Sequence, residues 1–197
     1  MGKRAFDLLG AACALVLLSP LLALLALWIK LDSPGPVFYR QERVGRFGRP
    51  FHIHKFRTMG ADAGGLPLTV GDDPRITRAG RLLRRTRLDE LPQFIDVLRG
   101  DMSLVGPRPE VPKYVAHWPA HLRERALAVR PGLTDPSSLA FIDEAQVLAR
   151  AADPERVYIE QILPQKVQAA VDYADRASLW SDAAVLARTV VTLLRRG

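Results

Sequence analysis

The strongest feature of the hydropathy pattern is an uncharged apolar run near the amino terminus, residues 8–29. As a straight helix rising ~1.5 Å per residue it would measure ~33 Å, enough to cross a hydrocarbon core ~30 Å thick. No small-residue cleavage site follows the run, which argues against a removed signal peptide. The pattern therefore predicts a membrane helix.

Two features of this run favour a helix that enters the membrane, bends and returns. Ser19 and Pro20 stand at its midpoint, where proline removes a backbone hydrogen bond and the serine hydroxyl can bond back to a carbonyl one turn earlier. Both flanks are basic, so the positive-inside rule places both ends in the cytosol; the flanking residues are Lys3, Arg4, Lys30, Arg40, Arg43 and Arg46. We expect a re-entrant helix-break-helix anchor over residues 1–33, with a kinked transmembrane helix as the alternative.

The remaining residues, 34–197, predict one cytosolic, membrane-associated catalytic domain of the α+β class, predominantly helical. Alternating apolar residues predict a small β-hairpin, with strands at 37–44 and 51–56 around a glycine turn at 45–48. Residues 60–73 are typical of a loop. Helical periodicity then predicts a helix starting near Asp89 and ending at Gly100, and further helices over 74–88, 118–129, 143–150, 154–175 and 179–196.

The charge pattern indicates anionic partners. The net charge is +7, and 23 of the 28 basic residues are arginine. Arginine grips phosphate with two parallel hydrogen bonds, although genome composition explains the same bias equally well. Six arginines in residues 74–88 predict an amphipathic interfacial helix suited to an anionic membrane surface or bound phosphates. The single cysteine, Cys13, excludes an intrachain disulfide.

The richest chemistry lies in residues 84–93, where arginines precede Asp89 and Glu90. One interpretation makes Asp89 the N-cap of the following helix. The other is functional: a carboxylate among arginines could attack phosphorus and form an acyl phosphate. Arg57 and the proline-bracketed Arg108 are further candidates for clamping a diphosphate. His52 and His54, without a visible third ligand, favour a structural role over metal binding.

Six segments occur in an order that resembles the bacterial sugar transferase family, the monotopic phosphoglycosyl transferases. The resemblance runs nearly end to end, and the middle three segments are specific in combination. The segments are Lys3-Arg4 with Asp7, Ser19-Pro20, Phe56-Arg57-Thr58-Met59, Leu88-Asp89-Glu90-Leu91-Pro92-Gln93, 100–109 and 130–134.

The resemblance implies a two-step reaction. Asp89 attacks the sugar-bearing phosphate of a UDP-sugar and releases UMP, and polyprenyl (undecaprenyl) phosphate then takes the phosphosugar. This is the first membrane step of a glycoconjugate pathway such as exopolysaccharide synthesis. Glu90 completes the catalytic dyad, and Mg²⁺ assists with Asp89 among its ligands.

The resemblance also assigns the other residues. Arg84 and Arg108 contact the substrate phosphates, and Arg57 stays the further candidate that its charge indicates. Lys3 and Arg4 lie at the membrane face near the lipid phosphate, and Ser19-Pro20 forms the bend of the anchor. The expected location is the cytoplasmic face of the bacterial inner membrane, among bilayer lipids and without a nucleic-acid partner.

Parts of the carboxyl-terminal half depart from the commoner family pattern. Residues 135–142 replace the usual continuation of the Pro-Gly-Leu-Thr turn, and Ala170 stands where many members carry an aspartate. Asp143-Glu144-Ala145 and residues 162–166 resemble a subgroup instead. Sugar contacts inferred from the commoner pattern therefore do not transfer, and the sugar stays unassigned.

Two other classes of protein satisfy part of the pattern. A non-catalytic, basic membrane- or nucleic-acid-binding protein would account for the charge, but gives no reason for the Asp89-Glu90 pair. A membrane phosphatase would share the aspartyl-phosphate chemistry, but the sequence lacks the Asp-x-Asp motif of haloacid-type phosphatases.

Overall fold

The computed structural model describes residues 2–60, 68–69, 73–135 and 144–196, and their side chains except those of 145 and 193–196. Most of the predicted loop at 60–73 and of the departing segment at 135–142 lies outside the described residues. The helices are α1 (Gly2–Asp32), α2 (Arg78–Thr86), α3 (Phe94–Arg99), α4 (Pro112–Val115), α5 (Ala120–Ala126), α6 (Glu144–Ala149), α7 (Pro154–Val157), α8 (Leu163–Arg176) and α9 (Leu179–Arg196). The strands are β1 (Phe38–Val44), β2 (Pro50–Phe56), β3 (Ser103–Val105) and β4 (Gly132–Thr134).

The apolar run forms α1, which continues through Pro20 as one helix. Within the described residues it is the one helix long and apolar enough to cross a membrane, judged by length and composition alone. The predicted hydrogen bond of Ser19 is present, because its hydroxyl donates to the carbonyl oxygen of Val16 at 2.8 Å. Helical assignment alone does not measure the bend, which stays a prediction.

Both ends of α1 pack on the rest of the protein, and its middle does not. Near the amino end, Asp7 and Ala11 are buried; near the carboxyl end, Leu25 and Ile29 are buried in a cluster with residues of β2 and α2. Between them, residues 12–24 contain no buried side chain. The apolar middle of α1 therefore projects from a domain that holds both of its ends.

The predicted hairpin is confirmed. β1 and β2 pair antiparallel, with Phe38 opposite Phe56 and Val44 opposite Pro50. The turn includes Phe47 with φ of 60°, a left-handed conformation that is uncommon outside glycine.

A short parallel pair, β3 and β4, was not predicted. The two strands meet at Gly106 and Gly132, where a Cβ on Gly132 would lie 2.0 Å from the Gly106 nitrogen. Three-residue strands are too short to give a period-two pattern, so only the glycines could have indicated this contact.

The helix predictions differ in accuracy. The expected helix over 179–196 matches α9, whereas the expected helix over 74–88 is shorter, because Thr77 caps α2 by accepting a hydrogen bond from the Gly80 nitrogen. The region 154–175 is helical through a π-helical turn, Tyr158–Ile162, that joins α7 to α8. The predicted helix over 118–129 is limited to α5.

Candidate active site

The two acidic residues of the richest segment lie in a short 3-10 helix, Leu88–Gln93, directly after α2. Arg87 joins the two elements with φ of 56°, which turns the chain sharply. The prediction that Asp89 caps a helix is wrong: Asp89 lies inside the 3-10 helix and Arg87 precedes it, with no side-chain cap. The side chains of Asp89 and Glu90 are therefore free for other contacts, and both are buried.

A lysine of β2 bridges the two carboxylates. The Nζ of Lys55 lies 3.1 Å from Oδ2 of Asp89 and 3.0 Å from Oε1 of Glu90. Sequence reasoning missed Lys55, because a single lysine in a strand has no distinctive pattern. Its position directly before the Phe-Arg-Thr-Met segment was the available signal.

Glu90 is surrounded by cations. Arg108 donates to both of its carboxylate oxygens, with the Nη1–Oε2 distance at 3.3 Å, and Arg87 lies 3.9 Å away. Burial alone would raise the pKa of Glu90, but the charges of Arg108 and Lys55 outweigh burial and hold that pKa well below its usual value. The charge of Glu90 in turn raises the pKa of Arg108. Glu90 is thus an ionised carboxylate that orients Arg108 and Lys55, rather than a free base.

Asp89 has a different environment from Glu90. Among the described residues, its one close ion-pair partner is Lys55. The charge of Asp89 also reaches two arginines: it opposes the burial that lowers the pKa of Arg84, and after Glu90 it adds to the charges that raise the pKa of Arg108. Of the two carboxylates, Asp89 is the one that retains lone pairs for a substrate or a metal.

Arg84 lies in the last turn of α2 and is held by neutral partners. Its Nε donates to the Thr58 hydroxyl and its Nη1 to the Thr69 hydroxyl, both at 2.8 Å. Burial lowers the pKa of Arg84, and Asp89 opposes that shift. Because hydroxyl groups do not neutralise a guanidinium, Arg84 keeps its positive charge beside Asp89, as a phosphate ligand would.

A close backbone contact holds α2 in this position. A Cβ on Gly80 would lie 2.0 Å from the carbonyl oxygen of Thr58, so only glycine allows the helix to approach the segment after β2. The Thr77 nitrogen donates to the same carbonyl at 3.0 Å. The contact places Arg84 over Thr58.

Arg57 lies elsewhere, at the carboxyl end of α1. Its Nη2 donates to the carbonyl oxygen and the hydroxyl of Ser33 at 2.8 and 3.0 Å, and its Nη1 to the carbonyl oxygen of Pro34. The guanidinium thus binds carbonyls that the helix end leaves without partners. Its predicted contact with substrate phosphate is not among these interactions and stays a prediction.

Lys3 and Arg4 fasten the amino end of α1. The Nζ of Lys3 lies 2.6 Å from Oδ2 of Asp182 and 3.2 Å from Oδ1 of Asp7. Arg4 donates to the carbonyl oxygens of Val97 and Leu98 at 2.7 and 3.1 Å, at the end of α3. Their predicted contact with lipid phosphate is untested, but both have a structural task as well.

The predicted magnesium would have few protein ligands. The described residues contain no group of three or more His, Cys, Asp or Glu side chains that could hold a metal. Mg²⁺ commonly binds through one or two carboxylates together with substrate phosphates, and Asp89 offers one such carboxylate. The donor set therefore fits a metal that arrives with a diphosphate. His54 belongs to no such set, because its backbone and ring both bond to Asp96.

The apolar helix α1 is thus joined to a domain whose buried carboxylates lie among lysine and arginine side chains, an arrangement that suits a phosphate-bearing substrate. The model of the bacterial sugar transferase family matches residues 1–196, and the chain belongs to this family. Its members are membrane-associated transferases.

Curated relatives carry more specific names. The chain is 44% identical over 197 residues to the UDP-glucose:undecaprenyl-phosphate glucose-1-phosphate transferase of Caulobacter vibrioides, with 98% of this chain and 69% of the relative aligned. It is 38% identical over 198 residues to the UDP-N-acetylgalactosamine-undecaprenyl-phosphate N-acetylgalactosaminephosphotransferase of Aeromonas hydrophila, with 98% and 43% aligned. The exopolysaccharide production protein PSS of Rhizobium leguminosarum bv. phaseoli is 38% identical over 215 residues, with 99% and 96% aligned.

These relatives differ in two respects. The names of the Caulobacter and Aeromonas proteins specify different sugars, so similarity at this level does not identify the sugar. The chain spans less than half of the Aeromonas protein and nearly all of the Rhizobium one.

Proposed function

We propose that this protein transfers a sugar 1-phosphate from a UDP-sugar to undecaprenyl phosphate, with release of UMP, through a covalent intermediate on Asp89. The observation that carries the proposal is the difference between the paired carboxylates. Glu90 is neutralised by Arg108 and Lys55, whereas Asp89 keeps lone pairs beside two arginines. A buried carboxylate of this kind suits nucleophilic attack on a phosphate.

In the first step, a carboxylate oxygen of Asp89 attacks the sugar-bearing phosphorus. The bond from that phosphorus to the bridging oxygen breaks, and UMP leaves with both electrons of the bond. Arg84, Arg108 and Lys55 offset the negative charge that accumulates on the phosphoryl oxygens. When bound, Mg²⁺ supplies further positive charge at the diphosphate.

In the second step, an oxygen of undecaprenyl phosphate attacks the same phosphorus. The acyl phosphate bond breaks, and Asp89 returns to its carboxylate form. The sugar keeps its bond to phosphate throughout, so the product is a lipid diphosphate sugar.

The covalent intermediate can be tested in the absence of acceptor lipid. We expect the detergent-purified protein, given a UDP-sugar and Mg²⁺, to release UMP up to one equivalent and to gain the mass of one phosphosugar. Peptide mapping would locate the adduct at Asp89. Asp89→Asn would give neither signal, whereas Asp101→Asn, at an exposed aspartate, would give both. UMP release without an adduct would rule out the covalent route.

We propose further that α1 is re-entrant and that the catalytic domain lies at the cytoplasmic face of the inner membrane. Residues 3–11 and 25–33 contact the same domain and Leu22 also packs on it, so at most residues 12–24 are available for insertion. At ~1.5 Å per residue, those 13 residues extend ~20 Å, less than the ~30 Å of a hydrocarbon core. While both ends stay attached, the helix is too short to cross.

Thiol labelling of intact cells tests this topology. In a Cys13→Ala background, we expect single cysteines at Gly2→Cys and Tyr39→Cys to resist an impermeant reagent and to react after detergent is added. Labelling of Gly2→Cys from outside would establish a span instead.

A further inference from the structure

A second set of polar side chains holds the segment that carries Arg108. Arg43, near the end of β1, donates from Nη1 to the carbonyl oxygen of Pro109 at 2.9 Å and pairs with Oε1 of Glu110 at 3.4 Å. The hydroxyl of Tyr158 donates to Oε2 of Glu110. The two residues that follow Arg108 are thus held by side chains from distant parts of the chain.

The set continues into the carboxyl-terminal half. The Nζ of Lys166 lies 3.5 Å from the Tyr158 hydroxyl and 4.9 Å from the centre of its ring, and it pairs with Glu144. Glu144 and Lys166 belong to the two segments in which the sequence resembles a subgroup of the family. We call Arg43, Glu110, Tyr158, Lys166 and Glu144 the Glu110 network.

The Glu110 network adds little to the free energy of unfolding. Its ionic side chains are between 14% and 23% exposed, and Tyr158 is 2% exposed within an apolar cluster. Burying charges at this depth removes hydration that their mutual attraction barely restores, so apolar residues of the same volume would stabilise the fold as well. What a polar network provides, and apolar packing does not, is a fixed geometry.

The network is electrostatically close to the active site. Burial lowers the pKa of Arg43, Glu110 opposes the shift, and the positive charge of Arg108 reinforces it. The charge of Glu90 also acts on Arg43. The geometry agrees, because Arg43 binds the carbonyl oxygen of Pro109, the residue directly after Arg108, at 2.9 Å.

The backbone around Arg108 transmits the position of Glu110. Proline stands on both sides of Arg108, and each ring restricts the chain. Before Arg108, the Gly132 nitrogen donates to the carbonyl oxygen of Pro107 at 2.9 Å; after it, the Val44 nitrogen donates to that of Glu110 at 2.9 Å. A shift of Glu110 would therefore move Arg108.

We propose that the Glu110 network is a positioning device that sets Arg108 at the diphosphate of the substrate, and that Tyr158 and Lys166 adjust it from the subgroup segments. This inference rests on the proposed function, because it takes Arg108 as a ligand of substrate phosphate. It assigns these five residues no contact with the reacting atoms.

Tyr158→Phe is the most direct test, because it removes one hydroxyl and keeps the ring in the core. We expect kcat/KM for the UDP-sugar to fall about ten-fold, mainly through KM, and the affinity for UDP with Mg²⁺, measured by calorimetry, to weaken by a similar factor. Tyr114→Phe is the matched control: Tyr114 is equally buried in the same cluster, but its hydroxyl bonds to Glu155. This variant is expected to change UDP affinity less than about two-fold, because it removes no hydrogen bond of the network and keeps the ring that packs on Tyr158 with centroids 4.7 Å apart.

A double-mutant cycle separates positioning from general destabilisation. In an Arg108→Ala background, Tyr158→Phe should cost nothing further in UDP affinity, since the group that it positions is gone. Equal losses from the two tyrosine variants, or additive losses with Arg108→Ala, would overturn the proposal. Glu110→Gln supplies the same comparison if Tyr158→Phe fails to fold.

The outcomes also distinguish this inference from the proposed function. If the wild type binds UDP but releases no UMP from UDP-sugars, the proposed reaction is contradicted. The double-mutant cycle measured by UDP affinity then still tests whether the network positions Arg108. If the wild type releases UMP and Tyr158→Phe leaves the UDP affinity unchanged, only the proposed role of the network is contradicted. Failure of the wild type to bind UDP contradicts both.

Discussion

Two lysine-bridged pairs of buried carboxylates occur among the described residues, and they differ in what surrounds them. Lys55 bridges Asp89 and Glu90 at 3.1 and 3.0 Å. Lys3 bridges Asp7 and Asp182 at 3.2 and 2.6 Å. Judged only by residue types and distances, either pair could be a catalytic centre.

The neighbours of the Lys3 pair make it structural. Asp7 accepts hydrogen bonds from the Ser103 hydroxyl at 3.0 Å and the Leu104 nitrogen at 3.1 Å, and Asp182 accepts one from the Tyr173 hydroxyl at 2.8 Å. These bonds join α1, β3, α8 and α9. A cavity of about 270 Å³ adjoins the pair, and Arg46 and Arg130 line it. Each of these arginines donates from Nε to a backbone carbonyl, so both already hold parts of the backbone.

The Lys55 pair has more cations than its own charges require. The Arg84 guanidinium donates to two threonine hydroxyls and is influenced by the charge of Asp89, while Arg108 and Arg87 approach Glu90. A site for an anionic substrate is therefore marked by surplus positive charge beside a carboxylate with free lone pairs. A bridged pair of carboxylates is not enough.

The largest expected effect comes from exchanging aspartate for asparagine in each pair. Asp89→Asn should lower UMP release by on the order of a thousand-fold or more, because it removes the nucleophile, with little change in folding. Asp7→Asn should instead lower the free energy of unfolding by about 2 kcal/mol, because an amide offers one acceptor oxygen in place of two to the Ser103 hydroxyl and the Leu104 nitrogen in a buried site. Luminescent UMP detection and thermal melting in detergent measure the two quantities.

The comparison would fail in one specific way. If folded Asp7→Asn protein lost UMP release per molecule as completely as Asp89→Asn, the Lys3 pair would also take part in the reaction.

A smaller effect is expected from the lysines. Lys55→Met should lower kcat by about a hundred-fold, since it removes one donor that offsets transition-state charge. Lys3→Met should leave kcat within about three-fold and lower the melting temperature, because its ion pairs with Asp7 and Asp182 fasten α1 and do not involve Asp89. Steady-state kinetics at saturating UDP-sugar would compare the two variants, and equal kcat values for both would remove Lys55 from the catalytic set.

The sequence predicted much of the fold because many elements are long and periodic. The hairpin and α9 each carry several apolar residues at the right spacing, so their bounds lay within a few residues of those observed, and the helix predicted over 154–175 is present as α7, the π-helical turn and α8. The β3–β4 pair carries three residues a strand and was missed. The cap assigned to Asp89 was wrong because a left-handed Arg87 has no sequence signature that distinguishes it from an ordinary helical arginine.

The candidate site was predicted only in part, because several of its contacts join residues that are far apart in the sequence. Asp89, Glu90, Arg84 and Arg108 were identified from local chemistry, and the structure brings them together. The Lys55 bridge to residues 34 and 35 positions later, and the pairing of Lys3 with Asp182, depend on packing that local patterns do not encode. Arg57 was chosen for its charge, and its contacts with the end of α1 required the tertiary structure.

The smallest expected effect concerns how the stability of the fold changes at acidic pH. The charges of Arg108 and Lys55 outweigh burial and lower the pKa of Glu90 in the folded protein. The ionised form of Glu90 therefore stabilises the fold at pH values above the pKa of an unfolded glutamate, about 4.3. This contribution is lost as the pH falls through the lower pKa of the folded state. At pH 7, Glu90→Gln should lower the melting temperature by about 4 °C, which corresponds to roughly 1–2 kcal/mol. The difference from wild type should stay constant down to about pH 5 and narrow only below the unfolded pKa. Glu124→Gln, at an exposed glutamate, should show no such difference. If the Glu90→Gln difference already vanished near pH 6, Glu90 would be protonated close to neutrality, and its role as the anion that orients Arg108 and Lys55 would be excluded.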